Sequence, residues 1–319
     1  MNPSRLSLCR RCVNFAWLCC AVGLVGCMLG GCAQVPAGNS LLDGALLERT
    51  AAAGEAVLEV PVPSHERLWR IEQAVLPYVE WDQRRVTVRN VRQCRWRSEE
   101  SKEVRHADWQ FAWGDVQGVD FVVAPFRDMP LLAHTMLSFR LADGRCLGLS
   151  VEARLERGET YSVVAGAARQ FELMYVLADE PDLYGLRAEV RRDDLYLYET
   201  RATGAAAARL LRDVLQRVDQ LVAEPEFYDS LSNNCTTNLV QHLNRTQLGQ
   251  VPADWRSQLP GQSDRLAHSL GLLKTTLPFE EARRQAWVSS RVRQHLGAPE
   301  FSQKIRQSSN AAIASAAGR

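Results

Sequence analysis

The chain has 319 residues, with 38 Lys and Arg against 37 Asp and Glu, for a formal net charge of +1. So even a balance provides no broad basic field and argues against a nucleic-acid partner. With 46% apolar residues, the length suffices for one large domain, or for one domain with appendages.

Residues 1–12 carry three arginines and no acid, and the nearly uncharged run from Val13 to Leu29 follows, which is the layout of an export signal. These seventeen apolar residues could also just span a bilayer as a plain anchor. Leu29-Gly30-Gly31-Cys32, followed at once by polar sequence, resembles the lipobox of bacterial lipoproteins. There the cysteine is lipidated and the signal is cut just before it, so residues 1–31 are expected to be a signal peptide and Cys32 the lipidation site. Leu24-Val25-Gly26-Cys27 is the alternative, but cleavage there would leave apolar MLGG on the mature end. Ala33 after Cys32 favours, by the same resemblance, the outer membrane over the inner, with the body on the periplasmic face.

Residues 32–85 read as tether and lead-in helices: an Ala/Leu-rich stretch, then His65 to Val79 with Leu68, Ile71, Val75 and Val79 at helical spacing. Strands are expected over 84–97, 108–116 and 119–126, then a hairpin over 133–154, then strands over 168–179, 183–191 and 195–199. Gly204 to Ala223 is an amphipathic helix with Leu210, Leu211, Val214, Leu215, Val218 and Leu221 on one stripe. A further helix starts near Asn234, and a charged one is expected from Glu280 to Ala298. The domain body is placed at 86–275, with a C-terminal helix and an unfolded tail in 276–319. The fold class is α+β: an antiparallel sheet with packed helices.

The hairpin register can be read in advance. Ala142-Asp143-Gly144 fits a three-residue loop with Gly144 in the left-handed position, pairing Leu141 with Arg145. Thr135, Leu137, Phe139 and Leu141 then share an apolar face with Leu147, Leu149 and Val151. The other face carries His134, Met136, Ser138 and Arg140 against Cys146, Gly148, Ser150 and Glu152. This register sets Glu152 across from His134, as a catalytic pair or as a structural cross-strand pair. Small Gly148 and Ser150 leave room on that face for a helix end or a substrate.

Six of nine cysteines lie at or before residue 32, leaving Cys94, Cys146 and Cys235, an odd number in an oxidising compartment. Cys94 and Cys146 could pair, with Cys235 as the free thiol. Cys235 follows Asn233 and Asn234, either able to cap a helix. A cysteine at the first helical position has its thiolate favoured by the helix dipole and free N–H groups; the bland alternative is an inert buried cysteine. Neither histidine nor cysteine spacing suits a metal, no glycine-rich phosphate loop is present, and no cofactor is expected.

HTMLSF (134–139), SVEARLERGE (150–159), RQFELMYVLADEPD (169–182) and PEFYDSLSNNCTTNL (225–239) resemble the successive blocks of the Lnb N-terminal periplasmic domain family. The order of His, acid and helix-borne Cys is also similar to permuted papain-like enzymes of the NlpC and lecithin:retinol acyltransferase type. The resemblance implies a thiol enzyme moving an acyl group from membrane phospholipid, in some relatives to lipoprotein N-termini. Carried over by position, Cys235 is the nucleophile, His134 the base and Glu152 its orienter. Asn233, Asn234, Ser150 and Arg154 are the oxyanion and substrate candidates, and Arg154 and Arg187 are the candidates to meet a phosphate or to sit in ion pairs. A cysteine peptidase or amidase of cell-wall peptides, and a non-catalytic envelope lipoprotein, are the alternative functions.

Overall fold

The computed structural model describes residues 61–252 and 260–307. The expected export signal, Cys27, Cys32, the Ala/Leu-rich stretch before residue 61 and the tail from residue 308 lie outside the described residues. The strands are β1 (Tyr78–Trp81), β2 (Arg85–Arg92), β3 (Arg95–Trp96), β4 (Lys102–Glu103), β5 (His106–Ala112), β6 (Val116–Phe126), β7 (Met129–Leu141), β8 (Cys146–Arg154), β9 (Glu172–Asp179) and β10 (Tyr196–Glu199). The helices are α1 (Val163–Ala167), α2 (Glu180–Tyr184), α3 (Gly204–Ala223), α4 (Cys235–Arg245), α5 (Ser263–Ser269), α6 (Phe279–Ala286), α7 (Ser289–His295) and α8 (Phe301–Arg306). The sheet runs β1-β2-β9-β8-β7-β6-β10, with β5 also paired to β2. All its pairings are antiparallel except that of β2 with β9, so the protein is α+β with a mixed, mostly antiparallel sheet.

Alternation along the hairpin sorts its side chains as its sequence requires. Gly144 has φ 84°, and the pairs run from Arg140–Cys146 through Phe139–Leu147 to Met136–Ser150, the anticipated register. Leu137, Phe139, Leu147 and Leu149 enter a core closed by Leu210, Leu211, Val214 and Leu215 of α3 and Leu239 of α4. Each such side chain is worth roughly 1.5–3 kcal/mol on burial. Thr203 caps α3 by accepting from Ala206 N, and the whole predicted stripe is buried.

The opposite face is not open. Met136, Met174, Val176 and Ala178 pack under α2, a π-helical turn (Gly185–Val190), α7 and α8. Helices therefore cover both faces, and β9 is buried at every residue. Gly148 does make room for a helix, but for α2: a Cβ there would fall 2.5 Å from Leu183 Cδ1.

Three expected elements are corrected. Residues 65–79 do not form a helix: Leu68, Ile71 and Val75 are exposed, and Trp69, Glu72 and Gln73 are buried instead. The segment is an extended strap with one 3-10 turn, held by Arg70 N to Leu155 O (3.0 Å) and Arg157 N to Leu68 O (2.7 Å). Pro77, with no N–H to give, precedes β1, so the expected lead-in segment supplies a strand of the sheet. Residues 183–191 are helical, because the Asp179 side chain accepts from Asp182 N (3.0 Å) and Pro181 fits the first turn. The expected 280–298 helix breaks into α6 and α7, where Val288 N leaves to bond Leu195 O (2.9 Å).

Burying a polar face requires partners. Glu180 accepts from Ser138 Oγ (2.5 Å), Tyr184 Oη (3.1 Å) and Arg306 (2.5 Å), and Arg306 also bonds Asp120 (2.7 Å). Burial pushes the Asp120 carboxyl up, and the Arg306 and Arg140 charges draw it back down. Arg306→Ala would leave two buried acids short of a cation. We expect it to cost about 3–5 kcal/mol in urea unfolding, against almost nothing for the exposed pair partner Lys274→Ala; equal effects would refute this account of the network.

Helix α4 is fastened from its inner side. Tyr175 Oη lies 2.8 Å from Asn238 Oδ1 and 2.9 Å from His242 Nε2, and His242 Nδ1 lies 2.5 Å from Asp213 Oδ2. Burial outweighs the pull of Asp213 and holds the His242 imidazole at about 4. Its folded value is below its unfolded value of about 6.5, so the unfolded chain takes the proton first. Stability is therefore full above pH 6.5 and is lost as pH falls from there to about 4, by about 3 kcal/mol. Unfolding measured across that window should show a shallower pH slope in His242→Gln; an unchanged slope would contradict the assignment.

Candidate functional site

Cys235 opens α4, as its sequence context predicts. Asn234 is the cap: its Oδ1 accepts from Thr237 N (3.0 Å), and Thr237 Oγ1 accepts from Asn234 N (2.9 Å). The amides of Cys235 and Thr236 lie ahead of the first helical acceptor, and among the described residues they have no partner. They are the N–H groups free to meet an anion. Asn234 Nδ2 donates one of its two N–H groups to Ser230 O (2.9 Å), and the residue lines the cavity that holds Cys235. Asn233 is a brace: Nδ2 donates to Phe227 O (2.9 Å), and Oδ1 accepts from Asn238 Nδ2 (2.9 Å). Both Nδ2 hydrogens of Asn233 are thus taken, by Phe227 O and Glu226, whereas Asn234 Nδ2 has a second N–H with no partner among the described residues.

His134, Glu152 and Cys235 line one cavity of about 160 Å³, together with Asn234, Arg187 and Tyr228. The pairing of β7 with β8 ends at Met136–Ser150, while β7 stays paired with β6 and β8 with β9 beyond that point. Past that end the cavity has in its wall His134, from the Met136 face, and Cys235, from the Leu137 face. Cys235 Sγ lies 4.0 Å from Ala133 O, one residue from His134, and 3.9 Å from Thr236 Oγ1. No hydrogen bond joins the thiol to the imidazole.

Glu152 does not touch His134, contrary to the expected direct pair. Because the ladder stops two residues short, Ser150 bridges them: His134 Nε2 is 2.6 Å from Ser150 Oγ, which donates to Glu152 Oε1 (2.8 Å). A hydroxyl has one proton and a carboxylate only accepts. With that proton on Glu152, Ser150 must accept from His134 Nε2–H. The neutral ring then carries its lone pair on Nδ1, which has no hydrogen-bond partner among the described residues and is not sealed from the cavity. Burial, then the Arg187 and Arg191 charges, hold this imidazole well below its ordinary value, so it is neutral and able to accept a proton.

Arg154 is not at the cavity. It donates to Gln73 O (2.9 Å) and Ala74 O (3.0 Å) and lies over Trp69, fixing the strap to β8. The other two thiols are unpaired, so no Cys94–Cys146 disulfide exists. Burial pushes both up, Cys146 to about 12, which keeps them protonated. Among the described residues, no cluster of His, Cys, Asp and Glu is placed to hold a metal ion, and no helix is long and apolar enough to cross a membrane.

Two features were not read from the sequence. The first is the Thr236 amide, one residue past the noted cysteine. The second is an apolar cavity of about 290 Å³ bounded by α3, α4, α5 and the sheet. Thr135 and Thr236 line it, and their hydroxyls are 3.1 Å apart. Cys235 thus stands one residue from the apolar cavity and in the wall of the polar one.

No curated protein and no solved structure matches the chain. Residues 104–261 match the family model described as the Lnb N-terminal periplasmic domain. That span runs from β5 past α4 and contains His134, Ser150, Glu152, Arg187 and Cys235. Residues 104–261 of the chain are an Lnb N-terminal periplasmic domain.

Proposed function

We propose that this periplasmic domain is a thiol enzyme that takes a fatty acyl group from phospholipid onto Cys235 as a thioester, then passes it to an amine or to water. The observation that carries this reading is the apolar cavity beside the thiol. At about 290 Å³ and lined mainly by Leu, Val, Ala and Phe, it is nearly twice the size of a cavity of roughly 150 Å³ that takes up benzene. A peptide substrate would have little use for it; an alkyl chain would be desolvated in it at about 0.8 kcal/mol per CH₂.

The chemistry follows from the groups in place. His134 Nδ1 takes the Cys235 proton, and Ser150 and Glu152 steady the resulting imidazolium through Nε2. The thiolate attacks the ester carbonyl, and the Cys235 and Thr236 amides receive the oxyanion. Collapse expels the lysophospholipid alkoxide, which takes the proton back from Nδ1, and leaves the acyl thioester. An amine or water then attacks the thioester by the same path and restores the thiol. The open thiol–imidazole gap is the kind that closes when substrate is bound.

A strand-borne His, a polar relay on the next strand and a helix-borne Cys are the working parts of a papain-like core in permuted order, and we adopt that description. The lipobox at Cys32, with Cys27 as alternative, would tether the domain to the periplasmic face of the outer membrane beside its donor lipid. The amino group of a lipidated cysteine is the acceptor we favour.

Intact-mass spectrometry of the protein incubated with phospholipid tests the reading. We expect an acyl adduct on the wild type, none on Cys235→Ala, and a rate lowered about a hundredfold in His134→Ala. Absence of an adduct with every phospholipid tried, together with cleavage of a cell-wall peptide, would replace this reading with a peptidase.

A further inference from the structure

Arg187 sits in the π-helical turn, is 6% exposed, and lines the polar cavity with Cys235. The other buried arginines are satisfied. Arg92 forks onto Asp182 (2.8 and 3.1 Å), Arg306 bonds Asp120 and Glu180, and Arg154 bonds backbone carbonyls. Arg187 is different: among the described residues its guanidinium donates no hydrogen bond, and its nearest carboxylate oxygen, Asp193 Oδ2, is 3.6 Å away. That is too long for a hydrogen bond, and Asp193 Oδ2 has no other partner.

Five N–H donors on a desolvated cation are costly to leave unmet. Burial, then the neighbouring Arg191 charge, lowers Arg187 to about 10. None of its nitrogens is among the sealed, unpartnered atoms, so the donors open onto the cavity. Arg191 lines the same wall, its Nε held by Glu99 (2.6 Å). Arg187 and Cys235 line the same cavity of about 160 Å³, so cation and nucleophile share one small site.

We propose that Arg187, assisted by Arg191, is the binding site for a phosphate group, contributed by the headgroup of the acyl donor. A planar guanidinium matches phosphate oxygens two at a time. In a glycerophospholipid the phosphate hangs from the carbon next to an ester-bearing one. Seating it on Arg187 holds that ester in the cavity with Cys235, with the chain free to enter the apolar cavity. The identity of the donor rests on the acyl-thioester reading; the anion site does not.

The test uses the full chain with Cys235→Ala, so that nothing turns over, and three calorimetric probes. These are inorganic phosphate, a short-chain diether phosphatidylglycerol with no ester carbonyl, and the matching diether glycerol with no phosphate. We expect the phospholipid to bind at least about tenfold more tightly than the neutral lipid. Arg187→Gln should erase the difference, Arg187→Lys should keep part of it, and Arg191→Gln should reduce it less. If phosphate alone binds as tightly as the phospholipid, in an Arg187-dependent way, the anion site stands and its ligand is free phosphate. Equal binding of both lipids, or a preference kept in a folded Arg187→Gln protein, overturns the proposal. A preserved preference in a wild type that forms no acyl adduct would remove the thioester reading and leave the site.

Discussion

The proton of Ser150 is committed to Glu152, and much of the site's arrangement follows from that one hydrogen bond. It turns the serine oxygen into an acceptor, which sets the His134 tautomer and leaves Nδ1 as the basic atom. Glu152 is in turn held by Gln73 of the strap (3.3 Å), and Gln73 Oε1 accepts from Leu155 N (2.8 Å). A chain of single-proton choices thus links the N-terminal strap to the imidazole. Such a chain sets direction and tautomer as well as position, which a bare cross-strand His–Glu pair would not do.

Local rules made part of this legible. The hairpin register followed from period-two alternation and one glycine at positive φ, and α3 followed from its stripe. The place of Cys235 followed from the asparagines before it. What was not legible depends on contacts distant in sequence. Alternation sets the hairpin register but not where the β7–β8 ladder stops, so Ser150, in place of Glu152, as the direct partner of His134 could not be read from the hairpin alone. Leu68, Ile71 and Val75 have helical spacing yet face solvent, because Trp69 and Gln73 are the residues the sheet edge accepts. Arg187 was noted as a basic residue, but that it is left with one long ion pair, to Asp193, and donates no hydrogen bond is decided only once the turn is folded.

The same face of the hairpin is used twice. Toward the loop end, Ser138 joins the closed network of Glu180, Arg306 and Asp120, in which every charge is answered. Toward the other end, His134 lines a cavity where its Nδ1 has no hydrogen-bond partner among the described residues and Arg187 has only its long ion pair with Asp193. Satisfied and unsatisfied polar groups therefore alternate along one strand pair, and it is the unsatisfied end that adjoins the thiol.

The strap has a mechanical consequence. Its fastening to β8 and the following turn includes Arg70 to Leu155, Arg157 to Leu68, Gln73 to Ala153 and Leu155, and the Arg154 guanidinium on Gln73 and Ala74. Tension on the chain at Pro61 would first load the bonds of Ser64 N (3.2 Å) and Arg67 Nε (2.7 Å) to Glu172 of β9, and then these. Behind them Gln73 Nε2 donates to Glu152. A pull on the N-terminal side of this domain would thus be delivered as a displacement of the carboxylate that governs the imidazole.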